Sequence, residues 1–143
     1  MARNPCTHLQ TLKRDNLRNL RKPKLLEDYA PPDYLIEAVD LDFALDPTET
    51  RVAAKLKLRP NHKAGAGRKP LVLDGEELTL RSVALNGKRL TPEDYTVDDS
   101  KLTIASVSDE PFTLEIVTLC NPEANTALSG LYRSRGTYCT QCE

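Results

Sequence analysis

Residues 34–59, YLIEAVDLDFALDPTETRVAAKLKLR, carry the pattern that decides the fold. Apolar residues occupy every second position before and after Asp46 and Pro47, which favour a turn. The intervening positions are mainly acidic before this turn and mainly basic after it. Opposite charges on adjacent strands are typical of an antiparallel pair. The stretch therefore predicts a β-hairpin with one apolar face, made of Val39, Leu41, Phe43, Leu45, Val52, Ala54, Leu56 and Leu58.

The period-two pattern continues in short runs as far as residue 119. Between Leu80 and Val83 the alternation slips, which predicts a β-bulge. Asn86 and Gly87 predict a type I′ hairpin turn, because both central positions of that turn need a positive φ. Short strands, frequent turns and the lack of a helical pattern after residue 24 predict an all-β domain. Its expected form is an antiparallel β-sandwich or a curved open sheet.

Residues 1–24 differ from the rest of the chain in charge. They contain seven Lys or Arg side chains and one Asp, a net charge of +6, so the remainder of a chain of net charge −1 sums to −7. We expect a flexible basic extension over residues 1–24 and the β-domain over residues 25–143. A disordered extension, a targeting peptide and a docked helix are three open interpretations of the first segment. The acidic body would repel phosphates, so no nucleic-acid partner is expected.

Length and composition set further limits. A chain of 143 residues fits a single domain with a hydrophobic core. No run approaches the roughly 18 apolar residues of a membrane span, and no secretion signal follows Met1. The four cysteines are therefore expected to be reduced thiols. The expected location is the cytoplasm, or the mitochondrion or plastid if residues 1–24 are a transit peptide.

Cys139 and Cys142 form a C-x-x-C pair, which in other proteins marks redox dithiols or half of a zinc site. A structural zinc needs four ligands, but the other candidates are isolated in the sequence: Cys6, His8, His62 and Cys120. We therefore expect no metal ligands in this chain. No nucleophile elbow, P-loop or dinucleotide fingerprint occurs and both histidines are isolated, so no catalytic residues are expected either. The competing hypothesis of a redox or zinc protein predicts bound metal or a reversible dithiol at Cys139 and Cys142.

Five segments of the chain share a more specific pattern. They are PDY (32–34), LVLDGEEL (71–78), NP (121–122), NTALSGLYRS (125–134) and CTQCE (139–143). Together they resemble the bacterial aminopeptidase N branch of the zinc metallo-aminopeptidases, over about residues 25–143. The resemblance implies the N-terminal part of a hydrolase that removes N-terminal amino acids from peptides.

Enzymes of this family begin with a saddle-like β-domain, which here would be truncated and incomplete at its C-terminal end. A thermolysin-like catalytic domain follows, with a G-x-M-E-N motif and an H-E-x-x-H zinc motif, neither of which occurs in residues 1–143. The resemblance thus implies zinc in the parent enzyme, whereas this chain alone is expected to bind no zinc and hydrolyse nothing. The implied partners are the N-terminus of the peptide substrate and the catalytic domain.

The resemblance also implies two substrate-binding residues, Gln141 and Glu143, which match the family's T-Q-x-E segment. Amide and carboxylate oxygens accept hydrogen bonds from the three N–H donors of a protonated α-amine. Binding the terminal amine at a fixed point would position the peptide bond one residue from the end of the peptide and so give aminopeptidase specificity. The alternative hypothesis is a stand-alone β-sandwich module for binding or scaffolding, without catalysis.

Overall fold

The computed structural model describes residues 29–64 and 69–141. This part of the chain forms ten strands and a short 3₁₀ helix, His62–Ala64. The strands are β1 (Tyr34–Ala44), β2 (Thr50–Pro60), β3 (Leu71–Asp74), β4 (Thr79–Leu85), β5 (Lys88–Arg89), β6 (Tyr95–Val97), β7 (Lys101–Ile104), β8 (Phe112–Cys120), β9 (Gly130–Ser134) and β10 (Thr137–Gln141). The extension predicted over residues 1–24 lies outside the described residues.

The strands form three antiparallel sheets. The largest has the order β1-β2-β8-β4-β5, a second has the order β3-β7-β6, and the hairpin of β9 and β10 is the third. The prediction of an all-β fold built from antiparallel sheets is therefore confirmed. Among the described residues, no helix has the length and apolar character needed to cross a membrane.

β1 and β2 form the hairpin predicted from residues 34–59. Opposite charges meet across it: Arg59 Nε lies 2.8 Å from Glu37 Oε1, and Arg51 Nη1 lies 3.7 Å from Asp42 Oδ1. All four side chains are at least 45% exposed. Ion pairs this exposed contribute little stability.

Two local predictions for β4 are also confirmed. Its pairing with β8 shifts register between Leu80 and Ser82, where the sequence predicts a bulge. β4 then turns into β5 through Asn86 and Gly87, whose φ angles are 51° and 78°. Positive φ at both positions is the condition for a type I′ turn.

The core lies between the five-stranded and the three-stranded sheets. Leu114 on β8 is fully buried, and its pairing partners are Leu56 on β2 and Leu85 on β4. Paired residues point to the same side of a sheet, so these strands present one continuous apolar face. Tyr34 joins β1 to this core through its ring, which meets Phe112 edge-on at 5.9 Å between centroids. The buried cluster comprises Leu58, Leu71, Val83, Ile104, Val107, Phe112 and Leu114.

The rest of the apolar face of β1 is largely exposed, although alternation ordinarily marks a half-buried strand. Val39, Leu41 and Phe43 are 49%, 53% and 47% exposed. The second sheet has three strands and packs on residues of β2, β8 and β4. β1 is the edge strand beyond β2, so the smaller sheet leaves most of its apolar side uncovered.

Replacing Leu114 by Ala should lower the free energy of unfolding by about 2–5 kcal/mol, because it removes fully buried methyl groups and leaves a cavity. The matched control is Leu41→Ala, which truncates a side chain that is 53% exposed and should cost less than about 1 kcal/mol. Urea unfolding followed by circular dichroism measures both changes. Equal losses in the two variants would contradict the assignment of Leu114 to the core.

Candidate functional site

The structure places Gln141, one of the two predicted substrate-binding residues, at the end of the β9–β10 hairpin. Gln141 is the last residue of β10, and its side chain is exposed. It pairs with Gly130, the first residue of β9, at the end of the hairpin opposite the turn. Glu143 and its neighbour Cys142 lie outside the described residues, so Glu143 stays a prediction from the sequence.

The alternating pattern predicts no strand after residue 119, whereas the structure has the β9–β10 hairpin there. Its turn consists of Arg135 and Gly136, with φ angles of 49° and 87°. The first turn residue is Arg instead of the usual Asn or Asp, and Arg rarely adopts a positive φ. The sequence therefore does not signal this turn in the usual way. The signal that could have revealed it is Gly136 itself, which has β-forming aromatic residues on both sides at Tyr132 and Tyr138.

A short link between β8 and β9 attaches this hairpin to the rest of the domain. Pro122 is fully buried, and its carbonyl accepts a 2.9 Å hydrogen bond from the backbone N–H of Arg133 on β9. Glu123 donates its own N–H to the carbonyl of Pro47 in the β1–β2 turn, also at 2.9 Å. The link therefore connects the hairpin to the turn of the first hairpin.

Asp46 holds the β1–β2 turn in place. Its Oδ1 atom accepts hydrogen bonds from the backbone N–H groups of Thr48 and Glu49, each at 2.9 Å. The hydroxyl of Thr50, a fully buried residue, donates to the carbonyl of Asp46 at 2.6 Å. The amides of Thr48 and Glu49 lower the pKa of Asp46, and the positive charge of Arg133 adds a smaller effect in the same direction.

Arg133, on β9, contacts both the other strand of the hairpin and the link before it. Its guanidinium carbon lies 5.9 Å from the ring centre of Tyr138, its pairing partner on β10. Its Nη1 atom lies 3.6 Å from Glu123 Oε1, a long ion pair of small energetic weight. A cation–π contact of this kind contributes about 0.5–1 kcal/mol. Arg133 therefore joins the two strands of the hairpin to the link that precedes them.

The cysteines and the histidine that the structure describes lie on three different elements. Cys120 ends β8 and Cys139 lies on β10, both as half-buried free thiols, and His62 lies in the 3₁₀ helix. Burial raises the pKa of the Cys120 thiol, which disfavours the reactive thiolate. Within residues 29–64 and 69–141, no three His, Cys, Asp or Glu side chains are grouped so that they could hold a metal ion.

Curated relatives of the chain are named aminopeptidase N. The protein from Caulobacter vibrioides is 46% identical over 118 residues, which are 82% of this chain and 13% of the relative. The protein from Haemophilus influenzae is 40% identical over 127 residues, which are 87% of this chain and 14% of the relative. The chain therefore spans only a small part of the length of the curated relatives it matches. No protein-family model matches the chain.

Solved structures agree with these relatives. Legionella pneumophila aminopeptidase A, crystallised with aspartic acid, superposes with a TM-score of 0.72 and 34% identity over 80% of this chain and 13% of its own. An M1 zinc metallopeptidase from Deinococcus radiodurans superposes with a TM-score of 0.59 over 83% of this chain and 28% of its own, at 16% identity, and shares the fold. The resemblance predicted from the sequence is confirmed: the chain is homologous to aminopeptidase N and matches its N-terminal β-domain.

Replacing Asp46 by Asn should make folding less sensitive to acid. The pKa of Asp46 is lowered in the folded chain, so its contribution to stability is present above the ordinary pKa of about 3.9 and is lost as pH falls toward the lowered value. Urea unfolding at neutral and at acidic pH should show a smaller difference for Asp46→Asn than for the unaltered chain. Asp99→Asn, in another exposed turn, is the control; an acid response of Asp46→Asn equal to that of the control would refute the role given to Asp46.

Proposed function

We propose, from the homology of this chain to aminopeptidase N, that it is the N-terminal β-domain of a zinc-dependent aminopeptidase that removes N-terminal amino acids from peptides. The observation that carries this proposal is the identity to the Caulobacter relative over 82% of the chain. The part assigned to this domain is recognition of the free α-amine of the substrate. Hydrolysis itself is assigned to a catalytic domain outside residues 1–143.

Gln141 and Glu143 supply the amine anchor in this proposal. The side-chain carbonyl of Gln141 and the carboxylate of Glu143 are both acceptors, and a protonated α-amine offers three N–H donors. The contact with Glu143 joins two ions, and such hydrogen bonds are roughly twice as strong as neutral ones. Their spacing in sequence is the one at which an extended strand presents side chains on the same face. A blocked N-terminus would not provide these donors, so the pair selects the free end of a peptide.

The β9–β10 hairpin supports this role for Gln141. Strand pairing fixes the backbone of Gln141 opposite Gly130, and its side chain is exposed. A binding group on a paired strand loses less conformational freedom on binding than one on a loose segment. The link through Pro122 and Glu123 then connects the hairpin to the β1–β2 turn.

Zinc belongs to the catalytic domain in this proposal, where the family's H-E-x-x-H motif would hold it. The described residues of this chain contain no group of metal ligands that could serve instead. When bound, zinc polarises a substrate carbonyl and lowers the pKa of water. The contribution of this chain is to place the substrate's amine, and with it the first peptide bond, at a fixed distance from that domain.

The stand-alone binding module is not favoured, because the relatives that match the chain are far longer proteins with a peptidase name. We further propose that residues 1–24 form a basic extension separate from a β-domain over residues 25–143. The protein is assigned to the cytoplasm, or to the mitochondrion or plastid if this extension is a transit peptide. Imaging of fluorescent fusions with and without residues 1–24 distinguishes these locations.

The coding sequence downstream of residue 143 gives the first test. It should encode a G-x-M-E-N motif followed by an H-E-x-x-H motif and a further glutamate. A continuous reading frame without these motifs would show that the parent is not an aminopeptidase of this type. Sequencing of the full-length transcript provides the answer.

In the full-length enzyme, Gln141→Ala and Glu143→Ala should each raise KM for unblocked peptides by about 10- to 100-fold. Each variant loses a hydrogen bond to a charged group, worth about 1.5–3 kcal/mol, and about 1.4 kcal/mol corresponds to a factor of ten. Steady-state hydrolysis of an aminoacyl anilide measures the change. The control is Thr140→Ala, an exposed neighbour on the opposite side of β10, which should keep its KM; unchanged kinetics in both anchor variants would overturn the assignment.

A further inference from the structure

The side chain of Asn125 binds the backbone carbonyls of the two residues that flank Gly130. Asn125 Nδ2 donates a 2.7 Å hydrogen bond to the carbonyl of Ser129 and a 2.9 Å hydrogen bond to the carbonyl of Leu131. Its Oδ1 atom is buried, and no described residue donates a hydrogen bond to it. Both of these hydrogen bonds thus go to the start of β9.

Gly130 is the pairing partner of Gln141. It adopts a φ of 72°, a conformation that L side chains rarely take, and it marks the point where the chain enters β9. A backbone with this freedom needs an external contact to hold one conformation, since glycine loses more entropy on ordering than other residues. The two hydrogen bonds from Asn125 provide that contact on both sides of the glycine.

β9 is held on both of its edges. One edge pairs with β10 along its whole length, from Gly130 to Ser134. The other edge receives the Asn125 amide near Gly130 and gives the N–H of Arg133 to the carbonyl of Pro122. The link residues 121–125 therefore support β9 at two points, and Asn125 acts at the end that faces Gln141.

We propose that Asn125 is a positioning residue for the amine anchor. It fixes the backbone at Gly130, which through strand pairing sets the place of Gln141 relative to the substrate's α-amine. This inference rests on the proposed function, because it assigns Asn125 a role in the same binding step. Asn125 itself touches no substrate in this proposal.

The test compares two inhibitors that differ only in the α-amine. Leucine hydroxamate and its des-amino analogue are titrated against the full-length enzyme. The inhibition constant of the des-amino analogue divided by that of leucine hydroxamate measures the contribution of the amine. Asn125→Ala should reduce this ratio by about 10-fold, since small displacements of a binding group cost up to about 100-fold. A general loss of structure would weaken both inhibitors alike and leave the ratio unchanged.

Two further variants make the result decisive. Asn61→Ala is the matched control, because Asn61 Nδ2 also donates to a backbone carbonyl, that of Pro32, at 2.7 Å, but at the start of β1; it should leave the ratio unchanged. Asn125→Gln keeps a neutral amide but moves its donors by one methylene, and it replaces the alanine variant if that variant does not fold. It should also reduce the ratio.

Gln141→Ala separates this inference from the proposed function. If Gln141→Ala leaves the ratio of inhibition constants unchanged, the amine anchor itself is wrong. If Gln141→Ala lowers the ratio but both Asn125 variants keep it, the anchor stands and the positioning role of Asn125 is overturned. Coupled residues are non-additive, so the double variant Asn125→Ala with Gln141→Ala should have the same ratio as Gln141→Ala alone.

Discussion

Burial of the inner face of β8 is the constraint on which the rest of the domain depends. This strand pairs with β2 on one side and β4 on the other, and Leu114 and Phe112 on its inner face are 0% and 3% exposed. With both edges and one face occupied, a slip of one residue would expose its core side chains and bury their neighbours. The position of β8 therefore sets the register of the five-stranded sheet. It also sets the point, after Cys120, at which the chain leaves this sheet and continues to the β9–β10 hairpin.

The candidate site is held by a different kind of interaction. Hydrogen bonds through the Asn125 amide, the Pro122 carbonyl and the Glu123 N–H attach the β9–β10 hairpin to the rest of the domain. Each contributes about 0.5–1.5 kcal/mol, less than the about 2–5 kcal/mol at stake for a buried leucine. Hydrogen bonds are directional, so these contacts fix the orientation of the hairpin although each contributes little free energy. A site held in this way can be displaced by changes that leave the core, and the stability of the domain, almost unaffected.

Much of the fold follows from local sequence, and the exceptions have physical causes. The first hairpin, the bulge after Leu80 and the turn at Asn86 and Gly87 are visible because alternation, charge and turn chemistry agree there. The β9–β10 hairpin is hidden because Arg135 takes a conformation that its residue type rarely adopts. The exposure of β1 depends on the width of the opposing sheet, a tertiary property that no single strand encodes. Family resemblance indicates Gln141, whereas the positioning role proposed for Asn125 depends on hydrogen bonds to the backbone that no sequence pattern predicts.

We propose that Gln141 and Glu143 bind the α-amine of a substrate. A crystal structure of the full-length protein with a bound free amino acid tests it most directly. We expect the amino nitrogen to lie within hydrogen-bond distance, about 2.7–3.2 Å, of Gln141 Oε1 and of a carboxylate oxygen of Glu143. An amino nitrogen held by other residues, with both of these side chains out of reach, would contradict it.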